Sequence, residues 1–147
     1  MVGTILLFVT EGYDDMAYLS TQVILEEAGN DVISVSPDGG ALKGETSSVM
    51  TVPLEEAISQ NINYAAIVLV GGNQILDNSS IKNLVSNHLT TDSIIAALDT
   101  GVDLLHSLHI DQELSIDTNI ISSGKFLSLK VPENCEEFAE KLVNMIG

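Results

Sequence analysis

The sequence predicts an α/β protein: a three-layer sandwich with a mainly parallel central sheet between helices. Three observations predict it. Thr4–Val9, Tyr64–Val70 and Ile94–Leu98 are strand-length apolar runs without alternation, as expected of strands covered on both faces. Between them lie stretches with helical spacing, flanked by capping residues. Each run also stops abruptly in loop-forming residues, at Thr10-Glu11-Gly12, Gly71-Gly72 and Asp99-Thr100-Gly101. Strands that alternate with helices imply parallel pairing through right-handed crossovers.

A chain of 147 residues, 45% of them hydrophobic, suits a single domain over 1–147 with a substantial core. No apolar run approaches the ~20 residues that span a bilayer. The N-terminus has no basic leader and Thr4–Val9 is only strand-length, so no secretory signal is expected. The single cysteine, Cys135, cannot form an internal disulfide, which makes a reducing, cytoplasmic location the default expectation. The net charge is −16, from 21 acidic and 5 basic residues. That field repels phosphate backbones and anionic membranes, so neither nucleic acid nor membrane is an expected partner. Solubility is its plainest consequence.

Taken in order, Thr4–Val9 is the first buried strand and Thr10–Tyr13 a loop. A helix is expected from Asp14 to Ala28, with Met16, Leu19, Val23, Ile24 and Ala28 on its apolar face. Asp14 and Asp15 fall in its first turn, where carboxylates complement the helix dipole. Gly29-Asn30 suits a left-handed helix ending. Asp31–Ser36 is a second strand. Ser36-Pro37-Asp38-Gly39-Gly40 is dense in turn residues, and a loop with short extended pieces is expected to about Val52. Pro53 opens a short helix through Ile58. Tyr64–Val70 is another strand, ending at a glycine pair where backbone can approach a ligand. Asp77-Asn78-Ser79-Ser80 offers helix caps before a helix over Ile81–His88. Ile94–Leu98 then turns into a helix that reaches Leu108. Asp117–Ser122 and Lys125–Val131 are the last extended segments, and Glu136–Ile146 is a terminal amphipathic helix.

The turn at Asp99 is the centre of the functional question. A strand that turns sharply into a helix lifts one side chain to the carboxyl edge of a sheet, beside the free N–H groups of that helix. Here the lifted residue is Asp99. It can be a plain helix N-cap, or a carboxylate nucleophile or general base. A helix terminus alone would lower its pKa and weaken both chemical roles. Asp99, Asp103 and His106 share a helical face and could offer a metal ligands, but a solvated acidic face is the plainer reading, so no metal is expected. The glycine pairs do not form a dinucleotide fingerprint.

Three stretches together resemble the PfpI/DJ-one superfamily. They are Ile5–Ser36 with Glu11-Gly12-Tyr13-Asp14-Asp15, Tyr64–Gly72 ending in Gly-Gly, and Ile95-Ala96-Ala97-Leu98-Asp99-Thr100-Gly101, which is similar to that family's nucleophile elbow. The resemblance implies a flavodoxin-like, class I glutamine amidotransferase-like fold. It puts the family's elbow cysteine at Asp99 and its helix-borne glutamate at Ala17, and the region after the elbow is shorter. Thiol chemistry is therefore not carried over, and Cys135 lies outside the elbow motif. By analogy with the family's oxyanion hole, the N–H of Thr100 and one near Gly71-Gly72 would line a pocket that Glu11, Asp14 and Asp15 could edge, with His106 a further candidate polar partner of Asp99. The leading expectation is a diverged, non-catalytic member that binds a small ligand or a protein partner near Asp99, without a cofactor. The alternatives are a hydrolase using Asp99 and a structural dimerisation module. The resemblance also implies a homodimer.

Overall fold

A computed structural model describes residues 3–147. The first strand, β1 (Thr4–Val9), leads into α1 (Asp15–Glu27) and the parallel strand β2 (Asp31–Ser36). The hairpin β3 (Gly40–Lys43) and β4 (Ser48–Pro53) follows, then α2 (Leu54–Ser59) and β5 (Ala66–Gly71). A 3-10 turn at Ile75–Asp77 precedes α3 (Ser79–Asn87), β6 (Ile94–Leu98) and α4 (Thr100–Ser107). The hairpin β7 (Ile121–Ser123) and β8 (Phe126–Leu129) leads to α5 (Cys135–Ile146). One sheet of eight strands results, in the order β3-β4-β2-β1-β5-β6-β8-β7. Its six inner strands pair in parallel, and only the two hairpins pair antiparallel. The expected flavodoxin-like sandwich is thus the observed architecture.

The unbroken apolar runs are explained by the layers. Ile5, Leu7 and Val9 face α1 and α5, where they meet Tyr13, Ala17, Leu25, Phe138 and Leu142. Leu6 and Phe8 face the opposite layer, with Leu54, Ile81, Val85, Val102 and Leu105. Successive side chains of a strand point to opposite faces, so a strand covered twice must be apolar at every position. β5 and β6 are buried throughout.

Two expectations are corrected. The apolar face of α1 is not the stripe through Met16, Leu19 and Val23, which are 59%, 43% and 46% exposed. The buried stripe is Ala17, Tyr18, Thr21 and Leu25. Both stripes have helical spacing; small residues at 17 and 21 suit close packing, and the buried set hides behind a hydroxyl and a phenol. Tyr18 donates or accepts at Ser34 Oγ across 2.6 Å, which satisfies its buried hydroxyl. The segment after Pro37 is the second correction. It is a regular hairpin, not a loop, and Val35–Val52 and Ser36–Pro53 pairing joins it to β2.

The reassigned face of α1 has a measurable consequence. Leu25→Ala should cost about 2–5 kcal/mol in urea unfolding because it opens a cavity in the core. At protein concentrations low enough to keep the chain monomeric, Leu19→Ala should stay within about 0.5 kcal/mol of the parent, as exposed substitutions do. A reversal of that ranking would restore the stripe expected from the sequence.

Candidate functional site

The strand-to-helix turn after β6 has a distorted backbone. Asp99 sits at φ 53°, ψ −127°, between the end of β6 and the first residue of α4. A non-glycine residue held there stores strain on the order of 1–3 kcal/mol, and its surroundings must impose it. They do so from two directions. The Asp99 N–H donates to Leu129 O of β8 at 3.0 Å, and its carbonyl accepts from Val102 N at 3.1 Å. On the other side, α4 rests directly on β5. A Cβ at Gly101 would overlap the Leu69 carbonyl, so only glycine allows that approach.

The elbow is clasped to the glycine pair at the end of β5. Thr100 Oγ1 donates to Gly72 O at 3.0 Å and accepts from Gly72 N at 2.8 Å. Gly71 has φ 110° and passes so close that a Cβ would stand 2.6 Å from Thr100 Oγ1. Gly71, Gly72 and Thr100 are therefore brought together with Asp99. The Gly72 N–H is engaged by the threonine hydroxyl rather than open to an incoming anion.

The plain helix-cap reading of Asp99 is corrected. Its side chain makes no capping bond to α4. Capping geometry needs an extended backbone at the cap residue, as at Asp14, which has φ −71°, ψ 118° and accepts from Ala17 N at 2.9 Å. The expected lowering of the Asp99 pKa is corrected too. Burial pushes its carboxyl above the usual range; Lys130 opposes that, and the charges of Asp14 and Asp103 add to it. The Thr100 N–H supplies a smaller opposing pull. Lys130, which the sequence reading overlooked, is held by Asp103 Oδ2 at 2.8 Å.

Other candidates are not assembled at the elbow. Asp15 turns toward the β3–β4 turn, where it accepts from Thr46 N at 2.8 Å, Thr46 Oγ1 at 2.5 Å and Ser47 Oγ at 2.6 Å. Those donors lower its pKa, the Ser47 hydroxyl most. His106 is exposed in the last turn of α4. Seven residues of helix place it about 10 Å along the axis from Asp99. Among the described residues no three His, Cys, Asp or Glu side chains gather closely enough to hold one metal ion. Cys135 is buried, with its thiol 3.6 Å from Met16 O.

The sequence reading also missed a cleft. A cavity of about 630 Å³ opens where the loops after β1, β2 and β5 diverge, and Asp99 does not line it. Glu11, Asp38, Asn73 and Asp77 are on its walls, with Leu42 of the hairpin. The signal for it is topological. From β1 the chain moves to β2 on one side and later to β5 on the other, and open α/β sheets leave a crevice at that switch of direction.

The raised pKa of Asp99 fixes the sign of a pH effect. A carboxyl whose folded pKa exceeds its unfolded value penalises the folded state once ionised. Asp99→Asn should therefore stabilise the protein at neutral pH, by no more than about 1 kcal/mol because water still reaches the partly buried group. The gain should fade as pH drops through the folded pKa of Asp99 and vanish below about pH 4. Thermal unfolding at stepped pH reads this directly, and a gain that grows toward low pH would contradict it.

The comparisons match the geometry. The profile of the DJ-1/PfpI family matches residues 3–113. No curated protein sequence matches the chain. Among solved structures, a ThiJ/PfpI domain protein from Brachyspira murdochii superposes with a TM-score of 0.84 at 20% identity, over 98% of this chain and 95% of that one. DJ-1beta of Drosophila melanogaster gives a TM-score of 0.88 at 19% identity, covering 99% and 91%. Oxidized DJ-1 of Toxoplasma gondii gives 0.86 at 19%, covering 97% and 90%. At these identities the likeness of structures speaks for the fold, while the profile spans most of the sequence: the chain belongs to the DJ-1/PfpI family.

Proposed function

We propose that this protein is a diverged, non-catalytic member of its family that binds a small ligand or a protein partner at the Asp99 elbow. The observation that carries the reading is the Thr100–Gly72 clasp. It spends on a threonine hydroxyl a backbone N–H that an acyl-transfer site would aim at developing charge. The elbow's backbone is kept, yet its apex is a carboxylate without thiolate nucleophilicity. Ala17, fully buried, stands where the resemblance implies a glutamate. What is left is a fixed, partly desolvated negative group beside Lys130 and Asp14, suited to recognition. Two copies are proposed to pair as a homodimer through the exposed Met16, Leu19 and Val23 stripe of α1.

A hydrolase remains the second reading, because a carboxyl with raised pKa near a second carboxylate is what general acid–base work uses. One set of assays separates the two. Glyoxalase, deglycase and peptidase substrates should be turned over no faster than in buffer, and Asp99→Ala should leave that background unchanged. Turnover that disappears in Asp99→Ala would overturn the non-catalytic reading. Light scattering at micromolar concentration should give twice the 15.7 kDa chain mass, falling to one chain in Met16→Glu/Leu19→Glu.

A further inference from the structure

We propose that the β3–β4 hairpin is a strap over the cleft between the loops after β1, β2 and β5, hinged at Gly39-Gly40 and latched at its tip by Asp15. Ala41 and Leu42 of β3 line the cleft, together with Thr10 and Glu11 after β1 and Asn73 after β5. Movement of the hairpin therefore changes the width of the cleft. The strap owes nothing to the elbow, because Asp99 does not line the cleft.

The hairpin is held weakly along its length. β3 pairs only with β4, and β4 meets β2 at two positions, Val35–Val52 and Ser36–Pro53. Its one buried side chain is Thr51; Leu42, Val49 and Val52 are only partly covered by the core. β5 and β6, by contrast, are buried at every position. Segments with few buried apolar contacts open locally at a lower free energy than the core does. The entry to the hairpin is a pair of glycines at φ 72° and 79°. A Cβ at Gly40 would meet nothing within 4 Å, so the backbone has room to rotate there.

The tip is fastened instead by polar bonds. Asp15 accepts from Thr46 N at 2.8 Å, Thr46 Oγ1 at 2.5 Å and Ser47 Oγ at 2.6 Å. Ser47 Oγ also shares a hydrogen bond with the Tyr13 hydroxyl at 3.2 Å. Two backbone bonds complete the latch, from Gly12 N to Lys43 O at 2.8 Å and from Glu45 N to Tyr13 O at 3.1 Å. Gly44 makes the approach possible, since a Cβ there would stand 2.6 Å from both Asp15 Oδ1 and the Tyr13 ring. All these partners lie in the loop after β1 and the first turn of α1. Bonds to an ionised acceptor are roughly twice as strong as neutral ones, so closure turns on the Asp15 carboxylate.

Amide hydrogen exchange, followed by NMR at one fixed protein concentration, tests this. Gly12 and Glu45 are the reporters, because they donate across the latch to backbone carbonyls that no variant alters. Their amides should exchange roughly a hundredfold or more faster than those of β5 and β6, since they open with the strap and not with the whole fold. Asp15→Ala should speed both by roughly tenfold, as loss of hydrogen bonds to a charged group does. Thr46→Val/Ser47→Ala, which leaves α1 untouched, should speed them likewise, and adding it to Asp15→Ala should add little, because both remove one interaction. The Thr10 amide, bonded to Gly71 O, should keep its parent rate. Spin labels at Ser48→Cys and Asp77→Cys, both exposed, should show longer separations once Asp15→Ala is added. Unfolding curves of each variant show that it is folded. Leu25→Ala lowers global stability without touching the latch and should leave the reporters at their parent rates. Acceleration of the reporters by Leu25→Ala as large as by Asp15→Ala would mean that the tip opens only with the whole molecule, and would overturn the proposal. So would reporters protected as well as β5, or label separations that Asp15→Ala leaves unchanged.

Discussion

The close approach of α4 to β5 is the constraint on which the site depends. Gly101 lets the helix start directly over the Leu69 carbonyl. Thr100 can then exchange both of its hydrogen bonds with Gly72. With Thr100 fixed, the residue before it must turn sharply from the buried end of β6, and the turn holds Asp99 at positive φ. The bond from Asp99 N to Leu129 O ties the same point to the neighbouring strand. Remove the close approach and there is no reason for an aspartate to accept a conformation that costs of order 1–3 kcal/mol. The strain is supported by an apolar sheet interior, because Ile95, Ala97, Val102 and Leu105 belong to one buried cluster. Packing of that kind resists small displacements.

Electrostatics at the elbow follows from where the backbone puts the side chain. A capping carboxylate is stabilised by helix N–H groups; a carboxylate turned aside loses most of that help and keeps the cost of burial. For Asp99 burial is the largest influence, and Lys130 is the main counterweight. Lys130 is itself shared with Asp103, which lies one helical turn beyond Asp99 and pairs with the same ammonium. In a chain with 21 acidic and 5 basic residues, one lysine serving two aspartates is a consequence of composition. Asp15, at the start of α1, shows the opposite outcome. It stays near solvent, gathers three donors from the hairpin turn, and is held ionised.

The parts of the fold legible in the sequence are those set by short-range rules. The runs at Thr4–Val9, Tyr64–Val70 and Ile94–Leu98 read as strands covered on both faces, and strands begin there at Thr4, Ala66 and Ile94. Asp77-Asn78-Ser79-Ser80 reads as a set of helix caps, and Asn78 is the one used, accepting from Ile81 N at 2.8 Å. Gly29 reads as a left-handed ending and has φ 95°. The face of α1 was not legible, because the stripe through Met16, Leu19 and Val23 is more hydrophobic than the one through Ala17, Tyr18 and Thr21. Only the partner surfaces of β1 and α5 decide between them. The hairpin after Pro37 was hidden by polar and glycine-rich composition, since edge strands need only half of their residues to be apolar.

The candidate site divides in the same way. That Gly71-Gly72 and Asp99-Thr100-Gly101 belong together was legible, because glycines after buried strands mark backbone approach. That Thr100 would occupy the Gly72 N–H was not, since it depends on a hydroxyl placed to within tenths of an ångström by long-range packing. Lys130 was missed for a related reason. It lies 31 residues beyond Asp99 in the sequence, and only the adjacency of β8 to β6 brings the two together. The cleft depends on topology more than on any residue. Glu11, Asp38 and Asp77 carry no common motif, and they converge because β1, β2 and β5 are parallel neighbours whose carboxyl ends share one edge. Parallel order thus places on one edge both a strained elbow on β6 and an acidic crevice that begins at the neighbouring strand β5. Thr10 joins the two, because it lines the crevice while its N–H and hydroxyl donate to Gly71 O of the glycine pair that clasps the elbow.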